Sequence, residues 1–311
     1  MIFPFLGFVP NVQADPPVTD QVLWLKADSG VMADGSPASV GEVVDLWQDQ
    51  SVNNNHAQLL LGDPQLATEN FPNGNYPVIR FNGDDGFSLV NETATRLTDF
   101  SIFILSSYDA GSYNSRIFCN YSVGNLSTQY GYALGTTAGG DSDWWYSGSS
   151  ELSTGAPYAA DENYLTIYTL QNSNDKDLYV YHENDGLVGQ ASELDAAPIQ
   201  YHNDPGLPVH NCTIGTIFID WPGYGYYGNL NGDIAEILIY DTVNEQLRNE
   251  VGAYLELKYG INAIFGCEDL GSHWESDLNQ DCYIDLDDLL IMVGNWLVCN
   301  DPEDPGCADT W

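Results

Sequence analysis

The chain has 311 residues, of which 43% are hydrophobic and 13% aromatic, so it can bury a large core and is not an intrinsically disordered chain. It carries 45 acidic and 7 basic residues, which gives a formal net charge of -38. Such an acidic surface repels polyanions and excludes nucleic acid and anionic membranes as partners.

The first residues form a short apolar stretch that ends near Ala14. The tripeptide Val12-Gln13-Ala14 resembles the small-residue motif before a signal-peptidase site, so we expect residues 1–14 to be a signal-peptide remnant and the protein to be secreted, to the extracellular space or the cell surface. The usual positively charged region is missing, which leaves open an ordinary apolar strand or an earlier start. Residues 15–20 then form a linker. No later stretch reaches the ~20 apolar residues that span a bilayer.

Short apolar or alternating runs follow, separated by clusters of Gly, Asn, Asp and Pro. The runs are VLWLKAD (22–28), EVVDLWQD (42–49), YPVIRFNG (76–83), FSIFILSSY (100–108), RIFCNYS (116–122), YLTIYTL (164–170), DLYVYHE (177–183), CTIGTIFI (212–219) and GDIAEILIYD (232–241). Many short strands with almost no long helix predict an all-β sandwich or jelly roll.

One helix is predicted directly after the last run. Thr242 and Glu245 have the spacing of a capping box, and Gly260 stands where a left-handed C-cap would end the helix. An apolar face should dock on the sandwich and close the domain near residue 262. That face consists of Leu247, Val251, Tyr254 and Leu255.

The segments LWLKADSG, VVDLWQDQSVNNNHAQ and YPVIRFNGDDGF, together with GDIAEILIYDTVNEQLRNEVGAYLELKYGI, resemble the LamG-like domains of secreted bacterial proteins. The resemblance covers residues 21–262. It implies a concanavalin A-like jelly-roll sandwich with one C-terminal capping helix. It also implies a binding or adhesion module, because most members of that family are not enzymes. Fold alone does not fix function.

The sharpest chemical motif is DLNQDCYIDLDD, residues 277–288. Its oxygen-bearing groups have the spacing of an EF-hand loop, and closely spaced carboxylates suit a hard divalent cation, so we predict calcium as the cofactor. The predicted ligands are Asp277, Asn279, Asp281, the Tyr283 carbonyl, Asp285 and Asp288. The alternative is an acidic helix cap with Asp285 as N-cap and Asp288 at the third helical position, which needs no ion.

The tail is similar to dockerin modules, whose exiting helix carries the partner contacts. We therefore expect a linker at 263–276, a small helical, EF-hand-like calcium module at 277–299, and a cohesin-like protein as a candidate partner. Two departures weaken the resemblance. Cys282 replaces the usual loop glycine, and only one loop is present where dockerins usually carry two.

Six cysteines form an even set without a C-x-x-C zinc pattern, so oxidised pairs fit better than metal thiolates. Cys119 with Cys212 is the simplest pairing in the body. A bond between Cys299 and Cys307 would close the tail at 300–311. Cys267 and Cys282 complete the set, and the four tail cysteines allow three connectivities.

No catalytic residue is predicted. Glucanases with the concanavalin A-like fold that the resemblance implies place their carboxylates on one strand in the pattern E-x-D-x-x-E. In GDIAEILIYD, Asp233 and Glu236 are three apart and Glu236 and Asp241 five apart, so neither pair shares a face of a regular strand.

Three other acidic or basic segments have ordinary structural interpretations. Asp141 and Asp143 stand in a Gly/Ser-rich stretch that reads as a loop, and His56 stands in a turn-like segment. Asp84 or Asp85 of FNGDDGF could serve a second calcium, although acidic residues beside glycine are common turn formers.

Glycan recognition requires exposed aromatic rings with amides or carboxylates beside them. Two segments that read as loops offer both, although aromatics in β domains more often belong to the core. The predicted ligand-binding residues are Trp144, Trp145, Tyr146, Trp221, Tyr224, Tyr226 and Tyr227.

The sequence thus favours a secreted, non-catalytic recognition or adhesion protein. Its body would bind a polysaccharide or cell-surface glycan, and its calcium-dependent tail would provide attachment. A polysaccharide-degrading glycoside hydrolase, or a component of such a system, and a structural cell-surface component are the two alternatives.

Overall fold

A computed structural model of the protein describes residues 15–109, 114–125, 128–137, 141–146, 152–194, 198–201, 211–219, 225–262 and 289–292. The chain forms two compact units, Met1–Ile264 and Phe265–Trp311. In the second unit, residues 289–292 are helical.

The first unit consists mainly of short strands. In chain order they are β1 (Leu23–Lys26), β2 (Val31–Ala33), β3 (Ser36–Pro37), β4 (Leu46–Trp47), β5 (Ala57–Leu61), β6 (Gln65–Phe71), β7 (Gly74–Asn82), β8 (Gly86–Leu89), β9 (Phe100–Tyr108), β10 (Arg116–Asn125), β11 (Thr128–Thr136), β12 (Asp141–Tyr146), β13 (Leu152–Pro157), β14 (Asn163–Gln171), β15 (Asp175–His182), β16 (Gly186–Glu193), β17 (Asn211–Ile214), β18 (Ile217–Ile219), β19 (Gly225–Tyr227) and β20 (Asn231–Tyr240). A short 3₁₀ helix (Glu92–Thr95) precedes β9, and α1 (Glu245–Tyr259) follows β20.

The strands form two large antiparallel sheets. The eight-stranded sheet has the order β16-β15-β14-β9-β20-β7-β6, with β1 also paired to β20. The ten-stranded sheet has the order β13-β12-β11-β10-β17-β8-β5-β4-β2-β3, and β18 and β19 form a separate hairpin. The predicted all-β class is confirmed as a two-sheet β-sandwich.

Alternate residues of the central strands fill the space between the two sheets. Ile102 and Ile104 of β9 belong to the same buried cluster as Phe118, Tyr132 and Ile214 of the ten-stranded sheet. This is the period-two burial that the alternating sequence runs predict. The predicted run 100–108 coincides with β9.

The outer face of the eight-stranded sheet is buried at its centre, because α1 lies on it. Phe103 and Leu105 of β9 are 0% exposed although they alternate with the core residues. The predicted apolar face of the helix, Leu247, Val251, Tyr254 and Leu255, is buried as expected.

The helix ends where predicted but begins elsewhere. Gly260 caps it in the left-handed conformation, with φ 77°, as the sequence indicates. The predicted Thr242 capping box is wrong, because Asn244 is the N-cap and its side chain accepts a hydrogen bond from the Leu247 N–H at 2.7 Å. The Thr242 carbonyl instead accepts from the Ser101 hydroxyl.

The predicted strand 212–219 is divided at Gly215. This residue has φ 79°, and a Cβ there would lie 2.4 Å from the Phe81 ring, so only glycine allows the chain to turn so close to the core. The turn separates β17 from the β18–β19 hairpin.

The predicted Cys119–Cys212 disulfide is wrong. Cys119 pairs with Thr213 and Asn120 pairs with Cys212 across β10 and β17, so the two cysteine side chains lie on opposite faces of the sheet. Cys212 packs between the sheets, whereas Cys119 packs on the outer face. The two sulfurs are not bonded to each other. Cys267, Cys282, Cys299 and Cys307 lie outside the described residues.

In the part of the chain that the structure describes, no helix combines the length and the apolarity needed to cross a bilayer.

Candidate functional site

The β18–β19 hairpin lies on the outer face of the ten-stranded sheet. Ile217 is 1% exposed and packs in a small cluster with Cys119, Tyr121 and Ala133, which point away from the sandwich core. Across the hairpin, Ile217 pairs with Tyr227. One side of the hairpin is therefore anchored to the sheet.

Two tyrosines on this hairpin reach solvent. Tyr226 and Tyr227 are 44% and 45% exposed, which is high for aromatic side chains in a β domain. Because adjacent residues alternate along a strand, the two rings lie on opposite faces of β19. Tyr226 and Tyr227 are thus accessible to solvent, but they lie in a strand and not in the predicted loop.

A chain of polar contacts holds the Tyr227 ring in place. The Asn114 side-chain amide donates to the Tyr227 hydroxyl, and the Asn114 amide oxygen accepts from the Arg116 guanidinium at 3.3 Å. Arg116 is itself buried and donates to the Thr136 carbonyl at 3.0 Å. The amide and the phenol are therefore preorganised beside each other.

Gly228 allows this close approach. It has φ 61°, and a Cβ there would lie 2.8 Å from the Asn114 carbonyl oxygen. Any side chain at position 228 would push the hairpin away from the Asn114 loop, so glycine is needed for the Asn114–Tyr227 contact.

Three of the other predicted ligand-binding aromatics belong to a strand two places from β10 in the ten-stranded sheet. Trp144, Trp145 and Tyr146 lie in β12 and not in the predicted loop, and Trp145 pairs with Ala133 of β11. Asp141 and Asp143 belong to the same strand, so their loop assignment is also wrong. Trp221 and Tyr224 lie outside the described residues.

A β-bulge in β20 shows that the spacing argument for Asp233 and Glu236, which placed them on opposite faces of the strand, is wrong. Asp233 pairs with Ser107 and Glu236 with Leu105 of β9, and the register shifts between Ile234 and Glu236. The extra residue puts Asp233 and Glu236 on the same face of the sheet, contrary to the expectation for a regular strand.

Both carboxylates on that face are nevertheless engaged in structural contacts. Asp233 accepts two hydrogen bonds from Arg80, at 2.6 and 2.9 Å, while burial raises the pKa of Asp233 against the opposing effect of Arg80. Glu236 is 0% exposed and accepts from four groups. These are the Trp24 indole at 2.7 Å, the Tyr254 hydroxyl at 2.9 Å, the Lys258 ammonium at 2.9 Å and the Tyr259 hydroxyl at 2.8 Å.

The acidic residues proposed for a second calcium organise turns. Asp85 is buried and accepts from the backbone N–H groups of Asp63 and Asn82, at 2.6 and 2.8 Å, and burial raises its pKa. His56 accepts from the Asp49 N–H, in keeping with the structural role expected for it. Among the described residues, no group of three or more His, Cys, Asp or Glu side chains could hold a metal ion.

The predicted calcium loop, 277–288, lies outside the described residues. Residues 289–292, which follow it, are helical, and their side chains Leu289, Leu290, Ile291 and Met292 are 36–60% exposed.

The topology and the surface together define an antiparallel two-sheet β-sandwich with an anchored, aromatic hairpin on the outer face of one sheet. The sequence matches no protein-family model and no curated protein. Among solved structures, the chain is similar to domain 4 of AbnA, an extracellular GH43 arabinanase from Geobacillus stearothermophilus, in complex with arabinotriose. The identity is 12%, the match covers 75% of this chain and 98% of that one, and the TM-score is 0.47.

Two further solved structures illustrate the range of the similarity. The CBM40 of Ruminococcus gnavus IT-sialidase bound to α2,3-sialyllactose is 14% identical over 54% of this chain and 90% of that one, with a TM-score of 0.41. An arabinofuranosidase complexed with arabinofuranosyl-α-1,2-xylobiose is 10% identical over 77% and 63%, with a TM-score of 0.49. At these identities and TM-scores, the β-sandwich assignment rests on the chain's own two sheets.

Proposed function

We propose that the protein is a secreted, non-catalytic carbohydrate-recognition protein. Its body would be a concanavalin A-like jelly roll of the LamG type, and its tail a calcium-dependent, dockerin-like module for attachment, with a cohesin-like protein as the candidate partner. The observation that carries the recognition function is the anchored hairpin. It presents Tyr226 and Tyr227 to solvent and fixes Tyr227 beside the Asn114 amide.

This combination suits a glycan. The apolar faces of sugar rings stack on aromatic side chains, while hydroxyl groups need nearby hydrogen-bonding groups that are already in position. The net charge of -38 favours neutral polymers over acidic ones, because an anionic polysaccharide would be repelled by the whole surface.

The engagement of Asp233 and Glu236 supports a non-catalytic role for their strand. Glycoside hydrolysis needs one carboxyl group that can give up a proton to the leaving group and another that faces the sugar. Asp233 is held by Arg80, and Glu236 is saturated by four donors beneath α1.

Removing the exposed rings should weaken polysaccharide binding. We expect Tyr226→Ala and Tyr227→Ala each to reduce retention by laminarin, xylan or agarose in affinity gel electrophoresis. The dissociation constant should rise roughly 2- to 10-fold per ring, because each ring contributes ~0.5–1.5 kcal/mol of stacking. Tyr227→Phe, which keeps the ring, should lose less than Tyr227→Ala.

Leu187→Ala is the matched control, since Leu187 is 49% exposed on β16, the edge of the other sheet. Equal retention of the tyrosine variants and this control would contradict the proposed site. Alginate, an anionic polymer, should not be retained. Release of reducing ends from any of the neutral polymers would instead assign a hydrolase.

The tail is proposed to bind calcium through the loop 277–288. Its donor set fits a hard cation that takes several oxygen ligands. The set consists of the carboxylates of Asp277, Asp281, Asp285 and Asp288, the Asn279 amide oxygen and the Tyr283 carbonyl. When bound, the ion would neutralise the mutual repulsion of these carboxylates and so stabilise a small module that has little core of its own.

Calorimetric titration of the full chain with CaCl₂ tests this loop. We expect a saturable site whose affinity falls by more than about tenfold in Asp277→Ala and in Asp288→Ala, because each removes a direct ligand. Asp309→Ala, which removes an acidic residue of the tail outside the loop, is the control. Identical heats for all four proteins would remove calcium from the proposal and leave the acidic helix cap as the explanation.

A further inference from the structure

A shallow cleft lies in the same sheet as the hairpin anchor, near the β3 edge. It has a volume of about 480 Å³ and is lined by Met32, Gly35, Asp45, Leu46, Gln58 and Leu59 of β2, β4, β5 and the turns beside them. This volume lies within the usual range for small-molecule sites. Gly35 leaves open space above it, because a Cβ there would meet nothing within 4 Å.

The register places the cleft and the hairpin on one face of the sheet. Met32 pairs with Leu46, Leu46 with Gln58, and Gln58 with Ser88. The same row continues from Ser88 to Thr213 and from Thr213 to Cys119. Directly paired residues share a face, so the row follows the outer face of the sheet from the cleft to the cluster on which the hairpin is anchored.

The cleft and the tyrosines also lie on the same side of this row. Neighbouring strands are antiparallel, so the step from Gln58 to Leu59 on β5 and the step from Leu46 to Asp45 beside β4 run in the same direction. The register shows that this is also the direction from Cys119 to Arg116 on β10. Asn114, which contacts Tyr227, lies just beyond Arg116. A line perpendicular to the strands therefore joins the cleft to the cluster beneath the hairpin, and the Asn114–Tyr227 contact lies to one side of that line.

The length of this line can be read from the sheet order. Five strand spacings separate β2 from β10 in the order β10-β17-β8-β5-β4-β2. At ~4.8 Å for each spacing, the line is roughly 24 Å long. That length suits a row of several sugar units and exceeds what a single sugar could bridge.

The lining of the cleft indicates the kind of chain that would occupy it. Met32, Leu46 and Leu59 supply apolar side chains to the lining, and Gln58 and Asp45 supply hydrogen-bonding groups. The Asp45 carboxylate is already oriented, because it accepts from the Asp34 N–H at 2.8 Å. No cationic group lines the cleft among the described residues, so an uncharged, hydroxyl-rich ligand fits it better than an anionic one.

We infer that the outer face of the ten-stranded sheet binds an internal stretch of an extended, neutral, linear polysaccharide, with the cleft as a second contact region beyond the hairpin tyrosines. This inference rests on the proposed carbohydrate-recognition function and specifies its substrate class. A chain that occupies both regions gains the second contact without a second loss of translational freedom, so affinity should grow with chain length.

The test compares oligosaccharides of increasing length on the full chain. The probes are the disaccharide, tetrasaccharide and hexasaccharide of the laminarin and xylan series, measured by isothermal titration. We expect affinity to rise at least about tenfold from disaccharide to hexasaccharide. In Gln58→Ala and Leu59→Ser, hexasaccharide affinity should fall roughly 3- to 10-fold while disaccharide affinity stays unchanged.

Gln190→Ala and Leu187→Ser on β16 are the matched controls, because both residues are exposed on the edge of the other sheet. A flat affinity across chain length, or Gln58 and Leu59 variants that behave like these controls, would overturn the extended site. The tyrosine-dependent binding would survive that result. Absence of binding to every neutral probe and polymer would instead reject the recognition function, and the extended site with it.

Discussion

Replacing Glu236 with alanine is expected to lower the free energy of unfolding by about 3–5 kcal/mol, the cost of breaking a buried ion pair by removing one partner. The Glu236 carboxylate is 0% exposed and joins three elements. It accepts from Trp24 of β1 and from Tyr254, Lys258 and Tyr259 of α1 while it belongs to β20 itself. Without it, two phenols and an indole would lose their acceptor in a dry interior.

Lys258 makes this loss more severe. Its ammonium group is 5% exposed and contacts both Glu236 and Asp28, each at 2.9 Å. In Glu236→Ala the buried cation loses one of its two described carboxylate partners and keeps Asp28, whose side chain is 30% exposed. Glu236→Gln, which preserves shape but not charge, should give an intermediate loss.

Urea unfolding followed by tryptophan fluorescence measures the effect. Glu245→Ala is the control, since Glu245 is 66% exposed on the same helix and lies 3.6 Å from Arg248. The control should change stability by less than about 1 kcal/mol. A Glu236→Ala protein as stable as this control would show that the buried network does not hold the helix to the sheet.

Alkaline pH is expected to unfold the protein cooperatively from about pH 10 upward. Burial raises the pKa of several tyrosines above the ordinary value, and for Tyr254 and Tyr259 the nearby Glu236 charge raises it further. The group consists of Tyr121, Tyr132, Tyr201, Tyr240, Tyr254 and Tyr259. A phenol whose pKa is higher in the folded state than in the unfolded state contributes to stability. This contribution is complete at pH values below the unfolded-state pKa, and it is lost as the pH rises towards the folded-state pKa.

Lys176 has the opposite effect on stability, and it acts at lower pH than the tyrosines. Burial lowers its pKa from 10.5 to about 8, although Glu193 at 2.7 Å partly opposes this shift. Between pH 8 and 10.5 the unfolded chain therefore holds more protons on this residue than the folded chain does, so its contribution to stability rises with pH. The net curve should rise slightly above pH 8 and then fall steeply above about pH 10.

Absorbance at 295 nm and thermal unfolding across pH 8–12 check both parts of this curve. Guanidinium-unfolded protein should titrate its 20 tyrosines near pH 10, whereas the folded protein should release the buried ones only as it unfolds. Lys176→Met should abolish the early rise and keep the later fall. Reversible titration of all tyrosines near pH 10 without unfolding would contradict the burial of these phenols.

The sequence predicts the long central strands well because their alternation is strong. The runs at 76–83, 100–108, 116–122, 164–170, 177–183 and 232–241 all fall on strands that pack against the core. Strands β6 and β16 escape prediction because both are sheet edges in which apolar and polar residues do not alternate regularly. Strand β12 is missed because its flanking glycines and serines read as a loop.

Side-chain direction is harder to predict than strand position. A bulge at Ala235 reverses the expected relation of Asp233 and Glu236, and the register of β10 with β17 separates Cys119 from Cys212. Both outcomes depend on pairing between distant segments, which local spacing does not encode. The site is predictable only in part for the same reason. The aromatic, glycine-rich segment marks Tyr226 and Tyr227, whereas the cleft at Gln58 and Leu59 is formed by cross-strand neighbours with no local motif.

The way the body ends has a mechanical consequence. Asn262 donates to the carbonyls of Glu183 and Asn184, and the last turn of α1 is tied to Asn73 through the carbonyls of Leu257 and Tyr259. Tension applied at this end would load those hydrogen bonds first, and then the Lys258 and Tyr259 contacts to Glu236 in the central strand. Traction on the C-terminus would thus meet resistance at the helix before any strand could be peeled from the sandwich.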